Sequence, residues 1–331
     1  GPLVDANRGI IEYSDLLKRP LDAWKYLLVA CEQSQVSVGP LALFFDLLMI
    51  ATSNELHLHS FREYPDWQSF KARIELIKVS YLLRSVDEQG IYLNQLPKLL
   101  SNRHVAPHAI EMAARWATLT RLEPPVMAKY PEHVQEIIRD LTPEEKLELY
   151  NFAEPPARLS QKQAQELKKH IPDLYNEYAN EPAYEGRFGA SPREIRMLIL
   201  NAAQDQRFDH LCAGAIFEQI KLLIDQKSSF EFLRRDPVRG YRDASFLLNS
   251  VKRHYVEILE DEVRNALGIY SRESYEDLFT RYILHVSSWI KKEQLFDLAL
   301  QKLINPDEQF MGNIEQNLKA SNELKDDYRK Q

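Results

Sequence analysis

Leu43-Phe44-Phe45-Asp46-Leu47-Leu48-Met49-Ile50-Ala51 runs directly into Thr52-Ser53-Asn54, and this stretch sets the grammar of the N-terminal part. An apolar run of this length closing in small polar residues reads as a buried strand opening into a polar loop. Upstream, Leu16–Gln33 carries Leu17, Leu21, Trp24, Leu27, Leu28 and Cys31 at three- and four-residue spacing, which predicts a helix. Downstream, a short helix over Trp67–Ala72 leads to a second expected strand, Ile74–Tyr81. Helix and strand alternating in this way is α/β grammar.

Beyond Arg84 the pattern turns to helices alone. Pro107–Thr120 presents Ile110, Ala113, Ala114, Ala117 and Leu119 as an apolar face. Residues 123–185 are acidic and broken by Glu123-Pro124-Pro125, Thr142-Pro143-Glu144-Glu145 and Glu154-Pro155-Pro156. Val134, Ile137, Ile138 and Leu141 keep helical spacing between the breaks, which predicts short helices rather than a linker. Two longer stripes follow: Leu248, Val251, Tyr255, Ile258, Leu259 and Val263, then Tyr275, Leu278, Phe279, Tyr282, Ile283, Val286, Trp289 and Ile290. Stripes of this kind are expected in a core. Residues from Ala320 to Gln331 are polar and expected to fray.

Composition agrees with a helical reading. Ten glycines in 331 residues is well below the average usage of roughly 7%. Glycine supplies positive φ at tight turns and close backbone approach to phosphates, so the count argues against a turn-rich β protein and against a complete glycine-rich nucleotide loop. The net charge of −7 provides no global basic field for nucleic acid or anionic membrane. Two cysteines, Cys31 and Cys212, form no spaced framework and suggest a reducing, cytoplasmic setting. No apolar run reaches the roughly 18 residues of a membrane span.

Four segments carry candidate chemistry. Val4-Asp5-Ala6-Asn7-Arg8-Gly9-Ile10-Ile11-Glu12-Tyr13-Ser14-Asp15 is a short apolar stretch ending in acids. It fits a strand delivering a carboxylate to Mg²⁺ and an attacking water, and equally a strand end with solvated acids. Asn54 stands at the carboxyl end of an apolar strand, where α/β sheets bind ligands and an amide can orient water; it is also an ordinary turn residue. Arg73, in Phe70-Lys71-Ala72-Arg73-Ile74, reads as a surface ion pair or as a cation offered to a phosphoryl group. In Gly186-Arg187-Phe188-Gly189-Ala190-Ser191-Pro192-Arg193-Glu194, Ser191 and Glu194 form a capping box with Pro192 at the first helical position. Arg193 then lies in the first helical turn, where an anion is favoured and an unpaired arginine is not.

These residues carry a family resemblance. Ala6-Asn7-Arg8-Gly9 before an apolar strand resembles the Walker-B approach of AAA+ ATPases of the magnesium-chelatase and MoxR type. Ser53-Asn54 is similar to their sensor 1, Arg73 to their arginine finger, and Gly189-Ala190-Ser191-Pro192-Arg193 to their sensor 2 segment. Ala51-Thr52-Ser53-Asn54-Glu55, Glu111-Met112-Ala113-Ala114-Arg115, Tyr184-Glu185-Gly186-Arg187, Glu262-Val263-Arg264 and Pro306-Asp307-Glu308 narrow the resemblance to the bacterial PrkA serine protein kinase family, over almost the whole chain.

The resemblance implies a mainly α fold: a partial α/β AAA+ core of two or three strands, a helical lid and a helical C-terminal region. It divides the chain into residues 1–122, the back half of the core with the first lid helices, and 123–331, with the sensor 2 helix inside 186–222. It implies ATP and Mg²⁺ as ligands of the parent protein. Asp15 would serve metal and catalysis, Glu12, Asn54 and Arg73 catalysis, and Arg193 the nucleotide. Ser14 occupies a position that is acidic in related ATPases, and Asp15 is one methylene shorter than the glutamate usual there. A protein substrate or partner and a homo-oligomeric ring are implied as well.

No Gly-x-x-x-x-Gly-Lys-Ser/Thr occurs, and the chain opens without methionine in mid-pattern. This predicts a fragment starting near the Walker-B strand, which alone neither binds ATP tightly nor hydrolyses it. The glycine-rich loop, His-Arg-Asp and Asp-Phe-Gly signatures of ordinary protein kinases are missing too. Two functions therefore stand: part of an ATP-dependent serine protein kinase, or an AAA+ chaperone-like or regulatory interaction module without kinase chemistry.

Overall fold

The computed structural model describes residues 2–20, 26–65, 67–95, 100, 103–267, 272–297 and 302–317. Two compact units divide between Val79 and Ser80. The first contains α1 (Pro2–Asp5), β1 (Ile10–Tyr13), α2 (Tyr26–Gln33), β2 (Gln35–Val38), β3 (Leu41–Phe44), β4 (Leu48–Ala51), α3 (Glu55–Arg62) and α4 (Trp67–Lys71). The second begins with α5 (Ser85–Gln95), α6 (Ala109–Leu119), α7 (Glu132–Ile138), α8 (Pro143–Phe152), α9 (Gln161–Lys169) and α10 (Ile171–Asn176). It continues with α11 (Pro192–Gln204), α12 (Ala213–Asp225), α13 (Ala244–Ala266), α14 (Arg272–Lys291), β5 (Leu295–Asp297), β6 (Lys302–Ile304) and α15 (Glu308–Asn317). The fold is mainly α with a partial α/β core, as the sequence implies.

In the first unit, β1 pairs with β4 in parallel, Ile10 opposite Leu48 and Tyr13 opposite Ala51. Strands β2 and β3 form a separate antiparallel hairpin. The apolar run Leu43–Ala51 is thus two strands rather than one. Asp46 makes the break: its backbone N–H donates to the Asn7 side chain at 2.9 Å, and Phe45 N–H donates to Ser34 O. These bonds turn the chain out of the hairpin and into the parallel pair. The strand faces are also barer than expected, with Phe44, Leu48 and Ile50 exposed.

The expected helix Leu16–Gln33 is interrupted. Leu16–Lys18 is one 3-10 turn, and Arg19 is extended because Pro20 follows and disfavours helical geometry before it. Helix α2 starts at Tyr26; Leu21 and Trp24 lie outside the described residues. The strand expected over Ile74–Tyr81 does not form, and residues 74–80 join no ladder. Leu16, Leu27, Phe61 and Phe70 make the small core, with the Phe61 and Phe70 rings edge to face at 5.1 Å.

Helix α6 is the axis of the second unit. Every residue from Ala109 to Leu119 except Glu111 is buried. Its alanines let α5, α8, α11, α12 and α13 approach from several sides, and Trp116 donates from Nε1 to Ala244 O at 3.2 Å. The proline-punctuated region forms α7 to α10, with Val134, Ile137, Ile138 and Leu141 buried as their spacing predicts.

The long stripes behave differently from expectation. Leu247, Leu248 and Val251 of α13 are buried, but Val256, Leu259 and Val263 further along are exposed. On α14, Tyr275, Leu278, Phe279, Ile283 and Ile290 are exposed as well. Periodicity reports an amphipathic helix; it does not say how much of the stripe is covered.

A titratable clasp joins α6 to α13. Both ring nitrogens of His108 meet carboxylates, Nδ1 to Glu111 at 2.7 Å and Nε2 to Glu262 at 2.9 Å. Hydrogen bonding to Glu111, then to Glu262, raises its pKa above the ordinary value. A raised folded pKa gives stability that is complete below about pH 6.5 and lost as pH rises through the folded value. His254 works in the opposite sense, because burial and then Arg115 lower its pKa. His108→Gln is therefore expected to remove the part of the stability loss above pH 6.5 that His108 causes. Melting temperatures from pH 5.5 to 8.5 check this, and superimposable profiles for the two proteins would refute it.

Candidate functional site

Parallel pairing of β1 and β4 brings their carboxyl ends to one edge. Tyr13 O accepts from Thr52 N–H at 3.0 Å, Asp15 N–H donates to Thr52 Oγ1 at 3.1 Å, and Leu16 N–H donates to Thr52 O at 2.9 Å. Asp15 sits in the left-handed region at φ 52, a conformation aspartate tolerates better than most residues. Its carboxylate is exposed and pairs with Lys18 at 2.6 Å. Glu12, also exposed, accepts from Ser14 Oγ at 2.7 Å. The sequence-derived acids and the Thr52-Ser53-Asn54 loop are thus neighbours along a single sheet edge.

Asn54 caps α3, its Oδ1 accepting from Leu56 N–H at 2.8 Å. The cap uses the carbonyl and fixes where the amide nitrogen stands. Arg73 is turned toward α2, with Nε and Nη2 donating to Glu32 Oε2 at 3.0 and 2.8 Å. Its Nη1 donates to Ser69 O at 2.7 Å and to Ser69 Oγ at 2.9 Å.

Arg193 belongs to the second unit. The expected capping box is present: Ser191 Oγ accepts from Glu194 N–H at 3.3 Å, and Glu194 Oε2 accepts from Ser191 N–H at 2.6 Å. Pro192 is the first helical residue, so Arg193 is held in the first turn of α11. It is exposed and engages no partner among the described residues. Pro192 has no N–H, and the Glu194 N–H is taken by Ser191 Oγ, so the Arg193 N–H and its guanidinium are what this helix start offers an anion.

The second unit holds a set of buried charges that sequence reasoning missed. Arg121 and Glu88 form a fully buried pair, Nη1 to Oε2 at 2.9 Å and Nη2 to Oε1 at 2.8 Å. Lys146, also inaccessible, donates to Glu177 at 3.0 Å, Glu185 at 2.8 Å and Glu123 O at 2.8 Å. Glu123 in turn receives Arg235 and Arg242. Tyr150 donates to Glu185 at 2.9 Å and Tyr130 to Glu177 at 3.0 Å. Burial pushes the Glu185 carboxyl up, opposed by Lys146. Burial raises the Tyr150 phenol as well, and the two carboxylates add to it. One signal for this network exists in the sequence: Lys146 and Tyr150 are four apart beside Leu147 and Leu149, which places a cation on an apolar face.

Comparison with known proteins now defines the class. The PrkA AAA domain family matches residues 1–129, and the PrkA serine protein kinase C-terminal domain family matches residues 144–331. The class is an AAA domain followed by a helical C-terminal domain. The chain belongs to the PrkA family. It is 25% identical over its full length to the protein named ATP-dependent protease PrkA of Bacillus subtilis strain 168, covering 48% of that protein. It is 27% identical over 90% of its length to the protein named serine/threonine kinase YeaG of Escherichia coli K12, covering 42% of that protein. The chain spans about half the length of the curated relatives it matches. No solved structure matches it. Among the described residues no helix is long and apolar enough to cross a membrane.

Proposed function

We propose that the chain forms the back half of the ATP site and the C-terminal region of an ATP-dependent serine protein kinase of the PrkA type, which transfers phosphate from ATP to protein serine. The observation that carries this reading is the shared edge of β1 and β4, where Thr52 laces Asp15 to the loop that ends in Asn54. The acids present suit Mg²⁺, which is held by one or two carboxylates and the substrate phosphates rather than by an all-protein cage. Asp15 would hold the ion, which would neutralise charge on the phosphates, with Glu12 beside it. Asn54 would orient the nucleophile. Arg73 would reach the phosphates of a neighbouring subunit in a ring, and Arg193 those of its own nucleotide. The kinase name of the Escherichia coli relative supports the choice of reaction.

A second reading, an AAA+ interaction module without kinase chemistry, draws on the exposed apolar faces of α13 and α14. The protease name of the Bacillus subtilis relative gains no support from side chains: among the described residues no histidine nitrogen is hydrogen-bonded to a serine or cysteine. Incubation of the full-length protein with γ-labelled ATP and a serine-containing protein substrate separates the two readings. Label is expected on serine and is expected to vanish in Asp15→Asn. ATP hydrolysis that responds to a partner, with no label transferred, would overturn the kinase reading in favour of the second.

A further inference from the structure

We propose that Arg121, braced by Glu88, is a positioning residue that sets the start of α11 and thereby holds Arg193 toward nucleotide; this rests on the reading of Arg193 as a phosphate contact. A guanidinium has five N–H donors, and all five are placed. Two go to the Glu88 carboxylate, at 2.9 and 2.8 Å. Nε and Nη2 both donate to Ala190 O, at 2.9 and 2.7 Å. Nη1 donates to Leu82 O at 2.9 Å. The Tyr81 ring covers the guanidinium at 5.2 Å, and Tyr92 donates its hydroxyl to Glu88.

The same residue and its neighbour grip the incoming loop through their other groups. Arg121 O accepts from Gly186 N–H at 3.2 Å, and Thr120 Oγ1 accepts from Ala190 N–H at 2.9 Å. Gly186 O accepts from Tyr81 N–H at 2.9 Å. Gly189 lies so close that a Cβ would stand 2.5 Å from Arg121 Cγ, and its φ of +127 excludes most side chains in any case. Ala190 is fixed one residue before the Ser191 cap and three before Arg193. Helix and loop entering from Gly186 are therefore registered on one buried cation. That the same guanidinium also takes Leu82 O ties the α11 start to the segment that leads into α5.

Lysine at this position keeps the charge opposite Glu88 but cannot reach Ala190, Leu82 and both carboxylate oxygens together. In the full-length protein Arg121→Lys is expected to raise the KM for ATP roughly tenfold while kcat changes less. It is expected to add nothing to Arg193→Ala in the double variant, since both act at the same guanidinium–phosphate contact. Hydrogen exchange provides a readout independent of nucleotide: faster exchange confined to amides 186–195 is expected. Thr120→Val, which removes the Oγ1 that accepts from Ala190 N–H and leaves the Arg121–Glu88 pair in place, is expected to reproduce part of the KM change and guards against a variant that misfolds. Unchanged exchange over 186–195, or effects of Arg121→Lys and Arg193→Ala that multiply, would overturn the proposal. If Arg193→Ala alone leaves KM unchanged while Arg121→Lys accelerates exchange over 186–195, the phosphate role of Arg193 fails and the positioning of α11 stands.

Discussion

Lys146→Met is expected to destabilise the second unit by about 3–5 kcal/mol, the range for breaking a buried ion pair from one side. Lys146 spends no donor on water: its three N–H groups reach Glu177, Glu185 and Glu123 O, and the rings of Tyr150 and Tyr178 flank it at 5.5 and 5.9 Å. Methionine fills similar volume but strands two carboxylates in the interior. A domain's whole stability is about 5–15 kcal/mol, so the variant stands near the edge of folding. Glu185 already has its carboxyl pushed up by burial, and without Lys146 only the Glu123 N–H and the Tyr150 hydroxyl oppose that push. A raised carboxyl pKa costs stability as pH rises above the unfolded value, so the variant is expected to weaken steadily from about pH 4.5 upward. Adding Glu185→Gln is expected to recover part of the loss. Urea unfolding followed by far-ultraviolet dichroism reads all three proteins, and a loss below about 1 kcal/mol in the single variant would show the network to be dispensable.

Arg73→Ala is expected to lower ATP turnover of the full-length protein about 10³-fold, at the lower end of the effect of an arginine finger. The same change is expected to leave the fold intact. Arg73 and Glu32 are 28% and 52% exposed, and pairs in that range contribute about 0–1 kcal/mol. The weak pair holds the arginine without binding it strongly, so phosphate competes with Glu32 easily. Glu32→Gln is consequently expected to keep turnover. Mixing Arg73→Ala subunits with Asp15→Asn subunits tests action between subunits, because each would supply what the other lacks. Turnover within threefold of the parent in Arg73→Ala would remove the residue from the site.

Local chemistry was the most legible part of this chain. The Ser191–Glu194 box, Pro192 at the first helical position and the short helices between prolines all depend on residues a few positions apart. The break at Asp46 depends on Asn7, thirty-nine residues away, and no windowed pattern contains it. The failed strand at Ile74–Tyr81 has the right composition but no partner ladder among the described residues; pairing is a property of two segments. Glu12, Asp15 and Asn54 are neighbours because the parallel β1–β4 pair brings the ends of the two strands together. Arg121, Glu88, Lys146 and Glu185 were not legible, because charged residues on helices ordinarily face water, and only tertiary folding shows which of them do not.

Ionic strength divides these charges into two populations. At 1 M salt the Debye length is about 3 Å, and a pair open to solvent loses most of its attraction. Lys18–Asp15 and Arg73–Glu32 are of that kind, with carboxylates half exposed. Lys146 with Glu177 and Glu185, and Arg121 with Glu88, admit no mobile ion, since their side chains are at most 2% exposed. Raising salt therefore loosens the Asp15–Lys18 and Arg73–Glu32 pairs while the buried pairs of the second unit keep their own electrostatics. Salt becomes a dial for the sheet edge that leaves the helical scaffold where it was.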